Sequence, residues 1–113
     1  MAVLARDHVL AAADANTETV AVPEWGGSVI VRSMTAGDRD KFDAMVASTK
    51  NVGYSGVRVW TVLACCVDDS GNKLFRTEDE PALRLKSAAV IERIFEAALR
   101  VSGITGSEQL EKN

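Results

Sequence analysis

The sequence has few of the residues on which metal binding and nucleophilic catalysis usually depend. Its 113 residues include one histidine, His8, and two cysteines, Cys65 and Cys66, which are adjacent. A single histidine excludes a metal site that needs two histidines from one chain, and we expect His8 at the surface. Adjacent cysteines close no loop and form a disulfide only with strain. We therefore expect both to be reduced, buried thiols in a cytosolic protein.

Long apolar runs are absent as well. No stretch approaches the ~20 apolar residues that span a bilayer, so we expect no membrane partner. Arg6, Asp7 and His8 interrupt the apolar start of the chain, where a secretory signal peptide needs an unbroken run. The net charge is −3. Because nucleic-acid-binding proteins usually present a basic face, this balance argues against a nucleic-acid partner.

Sequence patterns for cofactors and metals are incomplete. The glycine pair at 26–27 is too short to enclose a phosphate, and no other phosphate-binding motif is present. The polar run 68–72 resembles the start of a calcium-binding loop, but Lys73 stands where that loop needs glycine, which favours a simple turn. The acidic run 78–80 suits the first turn of a helix, where the dipole favours negative charge. The sequence predicts no cofactor, no metal site and no catalytic residue.

The composition is that of one globular domain, which we predict to cover residues 1–113. Hydrophobic residues make up 47% of the chain and charged residues 26%, so a core is possible without disulfides. A short N-terminal segment, 1–16, has helical spacing over 3–13. The β-branched residues of 17–33 then predict a β-hairpin, whose turn contains the glycine pair 26–27.

The rest of the chain, 35–102, predicts a mainly helical part, followed by a polar tail at 103–113. Apolar residues recur there at three- to four-residue spacing, and capping pairs precede two of the helices. The predicted helices are 36–49, most of 55–67, 78–86 and 87–102, and the capping pairs are Thr35 with Asp38 and Thr77 with Glu80. The fold class is therefore α+β: an N-terminal β-hairpin followed by a mainly α-helical bundle.

Some features of the pattern allow two interpretations. The run 55–67 has the length of a helix and the β-branched content of a strand, and periodicity alone does not separate the two. Trp25 lies at the hairpin turn, where it either faces a partner or folds back over the hairpin. Trp60, inside the apolar run, is expected in the core. Glu96 and Arg100 are four residues apart and are expected to form an ion pair.

Several of these pieces occur in an order that resembles a known family. They are VPEWGGSVIVRSMTAGDRDKF, the segment CCVDDSGNKLF after the apolar run, TEDEPALRLKSAAVIERIFEAALRVSGI and the terminal LEKN. Over about residues 17–113 the chain resembles the tail assembly chaperone family of long-tailed (siphovirus-type) bacteriophages. The likeness depends on the order and spacing of several weak motifs.

The resemblance implies a non-enzymatic protein that acts in the host cell cytoplasm and is not part of the mature virion. It implies binding to the tape measure protein, a long, mostly helical chain that the family keeps soluble while the major tail (tube) protein polymerises around it. Many members are made in two lengths by a programmed frameshift. The resemblance therefore also implies a longer frameshifted form, with this chain as the shorter product. A homo-oligomer is a further expectation, because spare apolar surface favours self-association.

A chaperone role needs apolar surface rather than reactive groups. We predict six large apolar or aromatic residues as candidate partner contacts. They are Trp25, Met34, Met45, Phe75, Ile94 and Phe95. Each of them would also suit a hydrophobic core, and the sequence leaves both interpretations open.

A small regulatory adaptor that binds nucleic acid or another protein is the alternative function. It would use four basic residues near the end of the chain, namely Arg84, Lys86, Arg93 and Arg100. Glu92 and Glu96 interrupt this basic face, so the adaptor is the less favoured hypothesis.

Overall fold

The computed structural model of the chain describes residues 2–52 and 56–104. Three antiparallel strands, in the order β1-β2-β3, pack against helices that follow the hairpin in the chain. The strands are β1 (Thr17–Val22), β2 (Gly27–Arg32) and β3 (Cys66–Val67), and the helices are α1 (Arg6–Ala11), α2 (Ala36–Val52), α3 (Val57–Cys65), α4 (Glu80–Leu83) and α5 (Ala88–Val101). The predicted α+β class and the N-terminal hairpin are confirmed.

The hairpin buries one face through the alternation of its side chains. β1 pairs with β2 from Thr17 opposite Arg32 to Val22 opposite Gly27. Val20, Val22 and Val31 are buried, because alternate residues of a strand point to the same face of the sheet. A 3₁₀ turn at Pro23–Trp25 connects the strands and ends at Gly26, whose φ of 81° is readily available only to glycine.

Helix α2 begins with the predicted capping pair. The Thr35 hydroxyl accepts a hydrogen bond from the Asp38 backbone N–H at 3.0 Å, and the Asp38 carboxylate accepts one from the Thr35 N–H at 3.3 Å. This reciprocal arrangement satisfies two N–H groups that a helix start leaves unpaired. The helix continues beyond the predicted end at residue 49, to Val52. The break predicted after it falls mainly on residues 53–55, which lie outside the described residues.

The ambiguous run 55–67 is divided between a helix and a strand. Most of it forms α3, as predicted. Thr61 is the one buried polar residue described in that helix, and its hydroxyl donates a hydrogen bond to the Val57 carbonyl at 2.7 Å. The last two residues of the run lie beyond this helix. They form β3, in which Cys66 lies opposite Val31 on the edge of β2. Backbone pairing with an open strand edge outweighs continuation of the helix there.

The second capping prediction is displaced by one residue. The Asp79 carboxylate, rather than that of Glu80, accepts a hydrogen bond, from the Arg76 N–H at 2.8 Å. A 3₁₀ turn at Thr77–Asp79 leads into α4, which ends at Leu83. The predicted helix 78–86 was therefore too long, and residues 84–86 form a turn that leads to α5.

Helix α5 is the centre of the core. Seven of its residues are buried, since it packs on α3, β1 and β2. Gly103, with φ of 75°, ends the helix as predicted, and the Ile104 N–H returns to the Leu99 carbonyl at 2.8 Å. One apolar cluster joins α5 to the sheet and α3, and a second joins α5 to α2. The polar tail predicted at 103–113 lies outside the described residues from position 105 onward.

Two arginines of α5 fasten the hairpin to this core. Arg93 donates to both carboxylate oxygens of Glu24, at 2.9 and 2.8 Å, and these bonds lower the pKa of Glu24 to about 2. Arg100 bonds both oxygens of Glu18 in β1, at 3.0 and 2.5 Å, and lowers the pKa of that carboxyl as well. Glu96 contributes only a coulombic attraction to Arg100, because the hydrogen bonds of the guanidinium go to Glu18 in the strand.

Candidate partner-binding surface

Two of the six predicted contact residues lie in the interior. Ile94 is fully buried and Phe95 is 1% exposed. Ile94 belongs to the cluster of α5 with the sheet and α3, and Phe95 to the cluster of α5 with α2. In this structure both contribute to stability, and a partner would reach them only by opening the core.

The other four predicted contacts are distributed over the molecule. Trp25 is 37% exposed at the hairpin tip, which answers the open question of its position in favour of solvent. Met34 and Met45 are half-buried against the cluster that contains Phe95, and Phe75 is half-buried against the other cluster. The six residues therefore do not form one continuous surface, and their role in partner binding stays a prediction.

An apolar depression lies between three helices. We call it the α3–α5 groove, and its volume is about 490 Å³. It is lined by Gly56, Val57, Arg58 and Val59 of α3 and its N-cap, by Leu83, Arg84 and Lys86 of α4 and the following turn, and by Ala88, Ile91 and Glu92 of α5. Val57, Leu83 and Ile91 are almost fully buried and form its base. Val59 is half-buried and Ala88 is exposed.

Charged residues surround the apolar base of this groove. Arg58 donates to Glu92 at 2.5 Å, and its guanidinium carbon lies 5.3 Å from the centre of the Phe95 ring, within the range of a cation–π contact. Arg84 pairs with Glu80 one helical turn away. Within the described residues Lys86 has no ion pair. The groove therefore combines an apolar base with an edge that carries a net positive charge.

A smaller cleft of about 200 Å³ is lined by Trp60, Leu63 and Ala64 of α3. Trp60, Leu63 and Phe75 supply its apolar lining, and all three are half-buried. Lys41, Lys73 and Arg76 are exposed around it. Trp60 was predicted to be in the core, and it packs against both apolar clusters while keeping one edge in this cleft.

The basic face required by the adaptor hypothesis is largely neutralised. Arg84, Arg93 and Arg100 form ion pairs with Glu80, Glu24 and Glu18, respectively. Guanidinium groups that are already paired with carboxylates displace fewer counterions from a nucleic acid, because their charge is already balanced. Of the four proposed basic residues, only Lys86 presents an unpaired charge in the described part of the chain.

The reactive side chains have structural roles. Burial raises the pKa of the Cys65 and Cys66 thiols to about 12, which keeps both protonated and weakly nucleophilic. Asp68 accepts hydrogen bonds from the Ser70 and Asn72 N–H groups, at 2.9 and 3.0 Å, and so forms the predicted turn. Over residues 2–52 and 56–104, no three potential metal ligands come together. No helix in this part of the chain is long and apolar enough to cross a membrane.

The sequence analysis did not identify the α3–α5 groove as a candidate site. Val57 and Val59 lie in the run 55–67, and Leu83 and Ile91 lie in the predicted helices 78–86 and 87–102, where no motif marks a site. The groove forms because α4, which is distant in sequence, contacts α3, and no sequence signal marks such a contact.

The comparison with solved structures gave a likeness that covers most of the chain. No protein-family model matches the sequence, and no curated protein matches it. A solved structure, that of the bacteriophage HK97 tail assembly chaperone, superimposes with a TM-score of 0.61 at 22% sequence identity. The match covers 84% of this chain and 90% of that chain, so nearly the whole domain is shared. The chain therefore has the fold of a phage tail assembly chaperone.

Proposed function

We propose that this protein is a phage tail assembly chaperone that binds the tape measure protein and keeps it soluble. The shared fold with the HK97 tail assembly chaperone over most of both chains is the observation that carries this proposal. The chemistry of the described residues agrees with it, since the cysteines are buried and the arginines named above are paired with carboxylates. Such a surface suits binding rather than catalysis.

The α3–α5 groove is the site that we assign to the client. An amphipathic helix binds in a groove by inserting its apolar side chains, and a volume of about 490 Å³ accommodates such anchors. The half-buried Val59 and exposed Ala88 are accessible to a partner, whereas Ile94 and Phe95 are covered. The proposed contact surface therefore does not include Ile94 or Phe95.

The wider role follows from the same proposal. The chaperone would act in the host cell cytoplasm and help the major tail (tube) protein to polymerise around the tape measure protein. It would be absent from the mature virion, and a longer frameshifted form of the chain would cooperate with it. Each of these partners is testable by co-expression.

Co-expression with the tape measure protein tests the proposal. The chaperone should increase the fraction of tape measure protein that remains in the supernatant, and the two should co-purify. Unchanged solubility together with no co-purification would contradict the proposed function.

A pair of neighbouring substitutions tests the assignment of the groove. Ala88→Asp places a carboxylate in the groove, and Ala89→Asp places the same group one residue away, outside the lining. Both positions are exposed and lie in the first turn of α5, where an acidic residue is favoured, so neither change should unfold the protein. We expect Ala88→Asp to lose the solubilising effect and Ala89→Asp to keep it. Equal behaviour of the two variants would remove the client from this groove.

A further inference from the structure

The unpaired cations of the chain are concentrated around one cleft. Of the lysine and arginine side chains that the structure describes, seven form ion pairs with carboxylates and four do not. The four are Lys41, Lys73, Arg76 and Lys86. The first three line the cleft of about 200 Å³ that contains Trp60, and Lys86 lines the α3–α5 groove. Three positive charges therefore surround one small cleft in a chain whose net charge is −3.

These three cations come from two separate parts of the chain. Lys41 lies in α2, and the other two lie in the segment between β3 and α4. In that segment the Leu74 N–H donates to the Cys66 carbonyl at 3.0 Å, and the Arg76 N–H donates to the Asp79 carboxylate at 2.8 Å. The fold therefore holds like charges around the same opening, and a cleft lined by one sign of charge attracts ligands of the opposite sign.

The carboxylate in the lining of this cleft already has partners. Asp38 accepts a hydrogen bond from the Thr35 N–H at 3.3 Å, and its carboxylate lies 3.5 Å from the guanidinium of Arg32. The side chains of this ion pair are only 14% and 18% exposed, for Asp38 and Arg32 respectively. Because Asp38 balances the charge of Arg32, it leaves the charges of the three cations around the cleft uncompensated.

Apolar side chains supply much of the rest of the lining. Trp60, Leu63 and Phe75 are half-buried and Ala64 is buried. Leu74, next to the lining residue Phe75 in sequence, is 44% exposed and extends the apolar surface. Protein interfaces commonly combine an apolar centre with a polar rim. The cleft has both components, and all the unpaired charges in its lining are positive.

We propose that this cleft is a second binding site, which takes an acidic segment of a partner protein. One large apolar side chain of the segment contacts Trp60 and Phe75, and aspartate or glutamate residues on either side of it pair with the three cations. The volume of about 200 Å³ lies below the ~300–1,000 Å³ of small-molecule pockets, which favours a single anchoring side chain. The site shares no lining residue with the α3–α5 groove, so this inference goes beyond the proposed function and does not depend on it.

The aromatic residues of the cleft favour a protein segment over a nucleic acid. Single strands bind by stacking successive bases on aromatic rings and by many phosphate contacts. Here Trp60 packs against both apolar clusters and Phe75 against one of them, so little ring surface is open for stacking. A long polyanion would also meet the negative net charge of the chain, whereas a short acidic segment needs only the three cations of the cleft.

Titration of the full chain with a dye-labelled peptide tests the proposal. The probe has one phenylalanine flanked on both sides by aspartate and glutamate, and the control peptide has asparagine and glutamine in place of the acidic residues. Fluorescence anisotropy should show saturable binding of the acidic peptide only, and this binding should weaken as salt is added, because exposed charges are screened. Equal affinity for the two peptides, or tighter binding of a single-stranded oligothymidylate, would overturn the proposal.

Two lysine substitutions form a matched pair for this titration. Lys73 and Lys86 are both exposed and without an ion pair in the described residues, and Lys73→Glu and Lys86→Glu change the net charge equally, but only Lys73 lines the cleft. Lys73→Glu should raise the Kd of the acidic peptide roughly fivefold, because a repulsive pair replaces an attractive one. Lys86→Glu should change it by less than about twofold, because distant exposed charges are screened. Equal losses, or a larger loss for Lys86→Glu, would overturn the assignment to this cleft.

Trp60 provides a spectroscopic reporter inside the cleft. The chain has two tryptophans, and Trp25→Phe at the exposed hairpin tip leaves Trp60 as the only one. Its emission should shift to shorter wavelength when the acidic peptide covers its exposed edge, and the neutral control peptide should leave the emission unchanged. The probe contains phenylalanine and no tryptophan, so it does not contribute to this signal. Peptide binding detected by anisotropy without any change in Trp60 emission would place the acidic segment elsewhere and overturn the proposal.

Discussion

The N-terminal arm, residues 2–15, and α5 have comparable apolar content but opposite environments. Every described residue of the arm is exposed, whereas seven of the fourteen residues of α5 are buried. The apolar face of α5 meets the buried side of the hairpin and α3, while the arm has no buried side chain. Apolar sequence alone therefore does not determine burial, since a matching surface must be present.

The largest difference is expected for truncation of an apolar side chain in the two regions. Phe95→Ala removes a buried ring that packs 6.4 Å from the Phe42 ring, centre to centre, and should lower the free energy of unfolding by about 3–5 kcal/mol. Leu10→Ala in the arm should change it by less than about 0.5 kcal/mol. Chemical denaturation at a protein concentration below self-association measures both. Similar losses for the two variants would abolish the distinction between arm and body.

Thiol reactivity provides a second comparison of the two regions. Cys65 and Cys66 should react slowly with a thiol reagent at pH 8 until the protein unfolds, because both are buried and their pKa values are raised from 9.0 to about 12. A Leu10→Cys thiol in the exposed arm should react at once.

The same thiol pKa values make stability depend on pH. The unfolded chain loses thiol protons above about pH 9 while the folded chain retains them, so the free energy of unfolding should fall as pH rises from 9 towards 12. The labelling experiment at pH 8 checks the premise of both thiol predictions. If the native thiols reacted as fast as the Leu10→Cys thiol, the core around β3 would be open to the reagent and both predictions would fail.

Helix capping should have an intermediate effect. Thr35→Ala removes one half of the reciprocal cap of α2 and should cost about 1 kcal/mol in denaturant unfolding. Thr35→Ser retains the hydroxyl and should cost clearly less. Helix α1 has Ala5 at the corresponding position with no side-chain cap, so Ala5→Gly should leave the unfolding free energy unchanged. A Thr35→Ser variant as unstable as Thr35→Ala would indicate that the methyl group matters more than the hydrogen bond.

The smallest effect is expected for the exposed ion pairs. The folded-state pKa of Glu24 is about 2, below its ordinary value of 4.5, because Arg93 donates to its carboxylate. Its stabilising contribution should be present above pH 4.5 and disappear as pH falls towards 2. Glu24→Gln should reduce stability slightly at pH 6 and hardly at pH 2, whereas Asp7→Asn in the arm should have no effect at either pH. Carboxyl NMR titration of Glu24 that gave an ordinary pKa would contradict the described pair.

Local sequence signals predicted much of the fold. The glycine turn, the Thr35 cap, Gly103 and the apolar spacing of α5 each depend on neighbours within a few residues, and the structure confirms them. The features that local signals did not predict lie where distant contacts decide. Cys66 and Val67 join a strand edge, and Arg100 bonds Glu18, which is 82 positions away in sequence.

The candidate site was less predictable than the fold. The expected contacts Ile94 and Phe95 have the apolar character of a binding surface, but the hairpin, α2 and α3 cover them. The groove forms where α3, α4 and α5 meet, and its residues carry no motif of their own. The exposure of Val3, Leu4, Val9 and Leu10 was equally hidden, since a helix-like pattern does not reveal whether a partner surface exists within the chain.

Binding of a helical segment of the tape measure protein to the α3–α5 groove is the central claim, and titration with a dye-labelled peptide tests it most directly. Fluorescence anisotropy with the purified full chain should show saturable binding. The Kd should rise roughly tenfold or more for Ala88→Asp, because a carboxylate then occupies an apolar site. The Ala89→Asp variant should bind like the unaltered protein. Equal affinity for both variants, or no binding by the unaltered protein, would contradict the account.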